Sequence, residues 1–222
     1  MWKNTDVPTE CASYMDSWKQ HNPDWNYRFW TDADILELIS THYNWFLKTY
    51  SNYDYNIQRS DTARHIILHH HGGLYCDIDI ECIRSVNDIF KTSPDCVLFG
   101  ENPENSITIQ GDNPDGAQGI VTNSIYYANK HNAFMLKCLK TLDVRGKPQQ
   151  EHNECQGAYV LRTTACVFLD SMYHRWKNVY NIQREPYYRF ERRSMRERQN
   201  TRRCVEMTDI EYGTHHSMNS WL

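Results

Sequence analysis

The chain has 222 residues and a formal net charge of −4, with 24 basic against 28 acidic side chains. That balance exerts no global pull toward nucleic acid. The mean hydropathy of −0.78 leaves no apolar run near the ~20 residues a membrane-spanning helix needs, and the length suits one domain with a sizeable core. Eight cysteines are spread without a C-x-x-C pair, which removes zinc-finger spacing and favours reduced thiols over a disulfide framework.

Residues 2–31 alternate aromatic and polar side chains around Pro8 and Pro23. Residues 32–50 read as a helix behind an Asp cap, with Ile35, Leu38, Ile39, Tyr43, Phe46 and Leu47 at helical spacing. The next stretch, NIQRSDTARHIILHHHGGLYCDIDIEC over residues 56–82, changes period partway. Ile57, Ala63, Ile66, Ile67 and His70 recur as on a helix, which Gly72 and Gly73 can stop by taking left-handed backbone. Beyond them Leu74, Cys76, Ile78, Ile80 and Cys82 alternate with Tyr75, Asp77, Asp79 and Glu81, the period of a strand. One face is apolar, where Cys76 and Cys82 act as small hydrophobes. The other stacks carboxylates that repel unless a cation offsets them, and a divalent metal is the candidate. Asp61 and Arg64 share a helix face within R-x-D-x-x-R, so a return of the strand along the helix brings Arg64 near those carboxylates.

Residues 85–101 give a short helix (VNDIF) and a strand (CVLFG), and residues 102–119, rich in Asn, Pro, Gly and Asp, give a loop. After a further strand, Met135, Leu136, Leu139 and Leu142 mark the core face of a helix in ANKHNAFMLKCLKTL. Residues 145–156 are a loop, and residues 159–176 are helical. Strand and helix in alternation predict an α/β domain with a mostly parallel sheet flanked by helices. Residues 184–203 interleave arginine with Tyr187, Tyr188 and Phe190. In an acidic chain that pattern reads as a solvated basic helix or a phosphate-rich acceptor surface, and no nucleic acid is expected.

The block RSDTARHIILHHHGGLYCDIDIE resembles the D-x-D sugar-transferase block of glycosyltransferase family 32. That family includes yeast outer-chain mannosyltransferases and bacterial capsule enzymes, and its fold is related to the large clostridial glucosylating toxins. WKNTDVP resembles the end of the family's opening strand. SWKQHNPDWNYRFWTD resembles the segment leading to the next strand, with Tyr27, Phe29 and Trp30 buried. The closing EYGTHHSMNSWL resembles the family's last segment, whose His215, His216, Asn219, Ser220 and Trp221 can fold over a donor. Two features depart from the family. Its strand before the first tryptophan has no counterpart here, and where it carries T-G-P this chain has Thr163, Thr164, Ala165 and Cys166.

The resemblance implies a GT-A type nucleotide-sugar transferase fold, a Rossmann-like sheet in a single domain over 1–222, with a mobile flap at 213–222. It implies a metal-dependent retaining transferase that moves a hexose from a UDP- or GDP-linked nucleotide-diphosphate sugar to a glycan or other hydroxyl acceptor. Mn²⁺ or Mg²⁺ would neutralise the leaving diphosphate. Asp79 would ligate the metal directly, while Asp77 would hold the ribose or reach the metal through water, with Asn219 as a further ligand. Neighbours on one strand face sit ~6.5–7 Å apart, too far for both aspartates to bind one ion unless the strand end bends. By the same resemblance Asp61 takes the ribose, Arg64 a phosphate oxygen and Tyr75 part of the nucleotide pocket. Trp2 stacks on the base, and Ser220 and Trp221 close over the donor. A degenerate, non-catalytic carbohydrate- or nucleotide-binding relative is the alternative. A D-x-D phosphatase is disfavoured because Ile80 and Glu81 follow Asp79 in place of Thr or Val. With no secretory signal at its start and no N-x-S/T sequon, a cytoplasmic location is favoured over a Golgi-lumen domain of an anchored enzyme.

Overall fold

The structure, a computed structural model, describes residues 1–101, 119–186, 190–192 and 212–216. Helix α1 (Thr9–His21) comes first, with Cys11 and Trp18 buried on one side. Helices α2 (Asp32–His42) and α3 (Asn44–Ser51) stand where a single helix over 32–50 is expected. The cap of α2 is Thr31 rather than Asp32: its hydroxyl accepts from the Asp34 amide, and the Asp34 carboxylate accepts from the Thr31 amide. The break falls at Tyr43 (φ −131°, ψ 35°), whose buried ring places its hydroxyl 2.6 Å from His69 Nδ1. Apolar spacing continues through that break, so periodicity alone does not reveal it.

Then follow α4 (Asn56–His71), β1 (Gly73–Cys76), β2 (Ile80–Cys82), a 3₁₀ turn (Asn87–Phe90), β3 (Cys96–Gly100) and β4 (Val121–Ala128). The described chain continues with α5 (Ala133–Arg145), α6 (Gln156–Thr163), α7 (Cys166–Trp176), β5 (Ile182–Glu185), β6 (Phe190–Arg192) and β7 (Gly213–His215). The strands form two sheets, ordered β1-β4-β3-β5 and β2-β7-β6. The fold is α/β, as expected, and its sheets contain parallel strands, β3 with β5 and β6 with β7. They are mixed rather than mostly parallel, because β4 runs antiparallel to both β1 and β3, and β2 antiparallel to β7. Side-chain alternation fixes which face a residue occupies but not which way its neighbour runs.

The first sheet is covered on both faces, so β3 is buried along its whole length. Leu98 and Tyr126 point into a core shared with Ile66 and Ile67 of α4, Phe134 and Phe168. Val97, Phe99 and Ile125 point the other way, against Trp18, Ile80 and Val86. Each such side chain contributes about 1.5–3 kcal/mol on burial, which makes this sheet the firm frame for what is attached to it. Trp30 is buried as expected, whereas Tyr27 is 39% exposed and Phe29 half-buried. Their segment runs along the surface, where Lys19 lies over the Tyr27 ring at 5.1 Å. Cys11, Cys76, Cys82, Cys96, Cys138, Cys155 and Cys166 are free thiols. Among the described residues no helix is long and apolar enough to cross a membrane.

Candidate active site

The site grows from the glycine pair that ends α4. Gly72 has φ +72° and Gly73 φ +103°, backbone that L side chains rarely adopt. A Cβ on Gly72 would lie 2.5 Å from the Lys130 amide nitrogen, so glycine is also needed for the close approach of the β4–α5 turn. The reversal sends β1 back along α4 and brings Tyr75 and Asp77 level with Arg64. Arg64 Nη1 donates to Asp61 Oδ1 at 2.8 Å and Nη2 lies 3.0 Å from Asp77 Oδ1. Its Nε donates to the Tyr75 hydroxyl at 3.2 Å, and that hydroxyl donates to Asp77 Oδ1 at 2.6 Å.

Asp61 is 2% exposed. Besides Arg64, it accepts from Asn123 Nδ2 of β4 at 2.9 Å and from Thr164 Oγ1 at 2.9 Å. Gln58, one turn earlier in α4, donates to Thr163 at 2.9 Å. These bonds tie α4 to the α6–α7 junction, which interrupts the helix expected over 159–176 at Thr164 and Ala165. Burial pushes the Asp61 carboxyl up to about 6, against the pull of Arg64, Thr164 and Asn123. Burial also opposes the charge on Arg64, yet Asp77, Tyr75 and Asp61 outweigh it and hold the guanidinium above its ordinary pKa. Because a guanidinium keeps its proton in proteins, the consistent reading is one cation shared by two carboxylates. Behind it, His65 is driven by burial and by Arg64 down to about 3 and is neutral, its Nδ1 2.9 Å from the Tyr126 hydroxyl.

The expected single strand over 74–82 is two strands in two sheets. β1 stops at Cys76, the Asp77 amide donates to Ser124 of β4 at 2.8 Å, and the Ile80 amide closes a turn on the Asp77 carbonyl at 3.2 Å. The chain then enters β2, which Trp18 of α1 fastens by donating Nε1 to the Ile80 carbonyl at 2.7 Å. The carboxylates therefore do not stack. Asp77 faces Arg64 and Tyr75, Asp79 faces His215 Nε2 at 3.4 Å, and Glu81 faces His216 Nε2 at 3.0 Å. Each carboxylate thus meets its own partner instead of its neighbour. In a second D-x-D of the sequence, Asp32–Asp34, Asp34 is consumed in capping α2 and Asp32 stands in its first turn.

His215 and His216 reach the site because β7 pairs antiparallel with β2, His215 opposite Ile80. The His216 amide donates to the Asp79 carbonyl at 2.8 Å, and the His216 ring stacks on Tyr14 at 4.2 Å. Residues 213–215 of the expected flap are thus strand β7, while Asn219, Ser220 and Trp221 lie outside the described residues. Trp2 pairs by a parallel bridge with Thr31, and its Nε1 donates to the Asp6 carbonyl at 3.0 Å. A cavity of about 450 Å³ lies between the segment holding Tyr27 and Trp30 and strand β1, with Trp18, Trp25 and Tyr75 in its walls and Asp77 at its edge. Asn123 and Thr164 were not foreseen as part of the site. The polar run Thr122, Asn123, Ser124 between apolar Val121 and Ile125 was the only signal for the first, and a helix-breaking pair for the second.

Residues 8–94 match the family described as "Glycosyltransferase sugar-binding region containing DXD motif". Inositol phosphoceramide mannosyltransferase 3 of Schizosaccharomyces pombe is 37% identical over 100 residues, 42% of this chain and 28% of that protein. Mannosyl phosphorylinositol ceramide synthase CSH1 of Saccharomyces cerevisiae is 27% identical over 180 residues, 80% of this chain and 42% of that protein. The chain therefore spans less than half the length of these relatives. Among solved structures, PaToxG Glycosyltransferase superposes with a TM-score of 0.51 at 13% identity, covering 81% of this chain and 67% of that one, a likeness of fold. Asp77-Ile78-Asp79 thus stands between the two sheets, within the residues 8–94 that are similar to the sugar-binding region of DXD-motif glycosyltransferases.

Proposed function

We propose that the protein is a divalent-metal-dependent, retaining glycosyltransferase that moves a hexose from a UDP- or GDP-linked donor to a hydroxyl of a glycan or lipid acceptor. The observation that carries this reading is the Asp77–Asp79 turn with the buried Arg64 guanidinium behind it. A turn frees the aspartates from strand spacing, and their hard oxygens suit Mn²⁺ or Mg²⁺. Among the described residues no three His, Cys, Asp or Glu side chains converge, so donor phosphate oxygens, water and Asn219 would complete the ligand set. The metal, when bound, neutralises charge developing on the leaving diphosphate. Asp79 would hold it, Asp77 would reach it through water or take the ribose, and Arg64 would offer a phosphate oxygen its guanidinium. Asp61, through three hydrogen bonds, sets where that guanidinium points and serves the ribose side. Trp2 and Tyr75 would line the donor pocket, and the family resemblance adds Ser220 and Trp221 to it. In a front-face reaction the anomeric carbon–phosphate oxygen bond breaks, the acceptor oxygen bonds on the same face, and the acceptor proton passes to the leaving phosphate.

The likeness to inositol phosphoceramide mannosyltransferases makes a mannosyl donor and an inositol-phosphate lipid the first pair to test. The protein is incubated with GDP-mannose or UDP-sugars, Mn²⁺ and inositol phosphoceramide, and products are read by mass spectrometry. A hexosylated product that disappears with EDTA is expected. Folded protein that neither transfers nor hydrolyses any donor of the panel would refute the proposal.

A further inference from the structure

We infer that the outward face of helices α3 and α5 is a docking surface for an anionic lipid bilayer. The two helices carry four basic side chains, Lys48, Lys137, Lys140 and Arg145, against one carboxylate, Asp143, in a chain whose formal net charge is −4. Asp143 accepts from the Thr49 hydroxyl at 2.6 Å, a bond that also ties the two helices side by side. Lys137, Lys140 and Val144 recur at intervals of three and four residues, so they share one stripe of α5, while the buried Cys138, Leu139 and Leu142 take the other side. On α3, Phe46 and Tyr50 are buried and Trp45 and Lys48 are exposed, Trp45 one turn before the Thr49 that meets Asp143. The charges therefore form a patch across two neighbouring helices.

Two apolar side chains in that patch select the partner. Val144 is 88% exposed, the most of any large apolar side chain among the described residues, and Trp45 is 44% exposed. A nucleic acid would answer the charges and leave these two in water. A bilayer answers both, since its anionic headgroups attract basic residues and its interface takes up tryptophan and apolar side chains. The patch also has a defined place relative to the candidate site. Just before α5 the His131 amide binds the His69 carbonyl at the end of α4, at 2.7 Å, and just after α5 Lys147 pairs with Asp54, ahead of the start of α4. The two helices thus run in opposite senses, and Val144 and Arg145 lie toward the half of α4 that holds Asp61. A bilayer on this face stands at the end of the molecule where sugar transfer is proposed, within reach of a lipid acceptor; the docking itself does not depend on that reading.

The test is co-sedimentation of the full chain, without metal or donor, with phosphatidylcholine vesicles and with vesicles that also contain phosphatidylserine. The wild type should bind the mixed vesicles and not the neutral ones, and binding should fall as salt rises. A basic residue near an anionic membrane strengthens binding about 5-fold, so Lys137→Gln combined with Lys140→Gln should weaken it about 25-fold. Trp45→Ala should weaken it as well, through loss of an interfacial anchor instead of charge. These substitutions are at the surface, and an unchanged circular dichroism melt confirms that each variant is folded. A wild type that binds neither kind of vesicle overturns the inference, and so does equal binding to both. Mixed-vesicle binding that survives the lysine pair unchanged also overturns it and moves the contact elsewhere on the chain. A loss with the lysine pair but none with Trp45→Ala overturns the bilayer as partner, because charge alone is then being read, as by an acidic protein. No sugar transfer enters the measurement, so failure of this inference leaves the transferase reading standing, and failure of that reading leaves this one.

Discussion

Asp61→Asn weighs burial against hydrogen bonding at the inner end of the site. Burial lifts the Asp61 carboxyl from 3.8 to about 6 although Arg64, Thr164 and Asn123 all pull it down. The folded protein then holds this proton more tightly than the unfolded chain does. Its stabilising effect is complete below about pH 4, declines as pH rises through about 6, and is absent above that. About two pH units at ~1.36 kcal/mol each make the decline about 3 kcal/mol. Asparagine does not titrate, and it fits the same partners. Its oxygen accepts from Arg64 and Asn123, and its amide donates to Thr164 Oγ1, whose own proton has the Val160 carbonyl 3.4 Å away. Urea unfolding of both proteins at intervals from pH 4 to 7 isolates the effect, because titrations common to the two cancel in the difference. The wild type is expected to lose about 3 kcal/mol relative to Asp61→Asn across that window. A flat difference curve would show that the three donors offset burial and that Asp61 is an ordinary ionised carboxylate.

Arg64→Ala leaves two carboxylates facing one another without their shared cation, so urea unfolding should register a loss of about 3–5 kcal/mol. Any folded fraction should bind a nucleoside diphosphate far more weakly than wild type while binding the nucleoside nearly as well; equal losses would mean a displaced helix instead. Asp79→Asn should retain the wild-type circular dichroism melt yet abolish transfer in Mn²⁺, and a wild-type rate would take Asp79 out of the metal site. Gly72→Ala should lower the melting temperature more than Gly73→Ala: both meet positive φ, at about 1–3 kcal/mol, but only Gly72 also forces a Cβ onto the Lys130 backbone. Equal shifts in differential scanning calorimetry would deny that close approach.

What could be read in the sequence was whatever local chemistry dictates. The helix at 56–71, its glycine stop and the strand entry follow from period and backbone freedom, and the structure has them at those residues. The Asp61–Arg64 pair was legible because three residues along a helix share a face. Strand direction was not, since a strand buried on both faces carries no sign of which way β4 runs beside it. Alternation also continued through Asp77 and Asp79 although the chain changes sheets there, because β2 resumes the same in-and-out pattern on a different partner. Helix α1 is the opposite case: Cys11, Tyr14, Met15 and Trp18 have helical spacing that the aromatic–polar alternation around them obscured. Asn123 and Thr164 needed the tertiary fold, since each meets Asp61 across a long stretch of chain.

The change of sheet within the D-x-D turn makes the motif a caliper. One jaw, Asp77, is riveted to the first sheet through Ser124 and to α4 through Arg64; the other, Asp79, travels with β2 and the strand beside it. The gap between the jaws is therefore a property of how the two sheets rest on each other rather than of the turn itself. A substitution at Trp18, whose indole pins β2 from the far side, would open or close that gap while leaving every acidic side chain untouched. Mutations under α1 should accordingly be felt in cation affinity as well as in stability, since Trp18 is also part of the core.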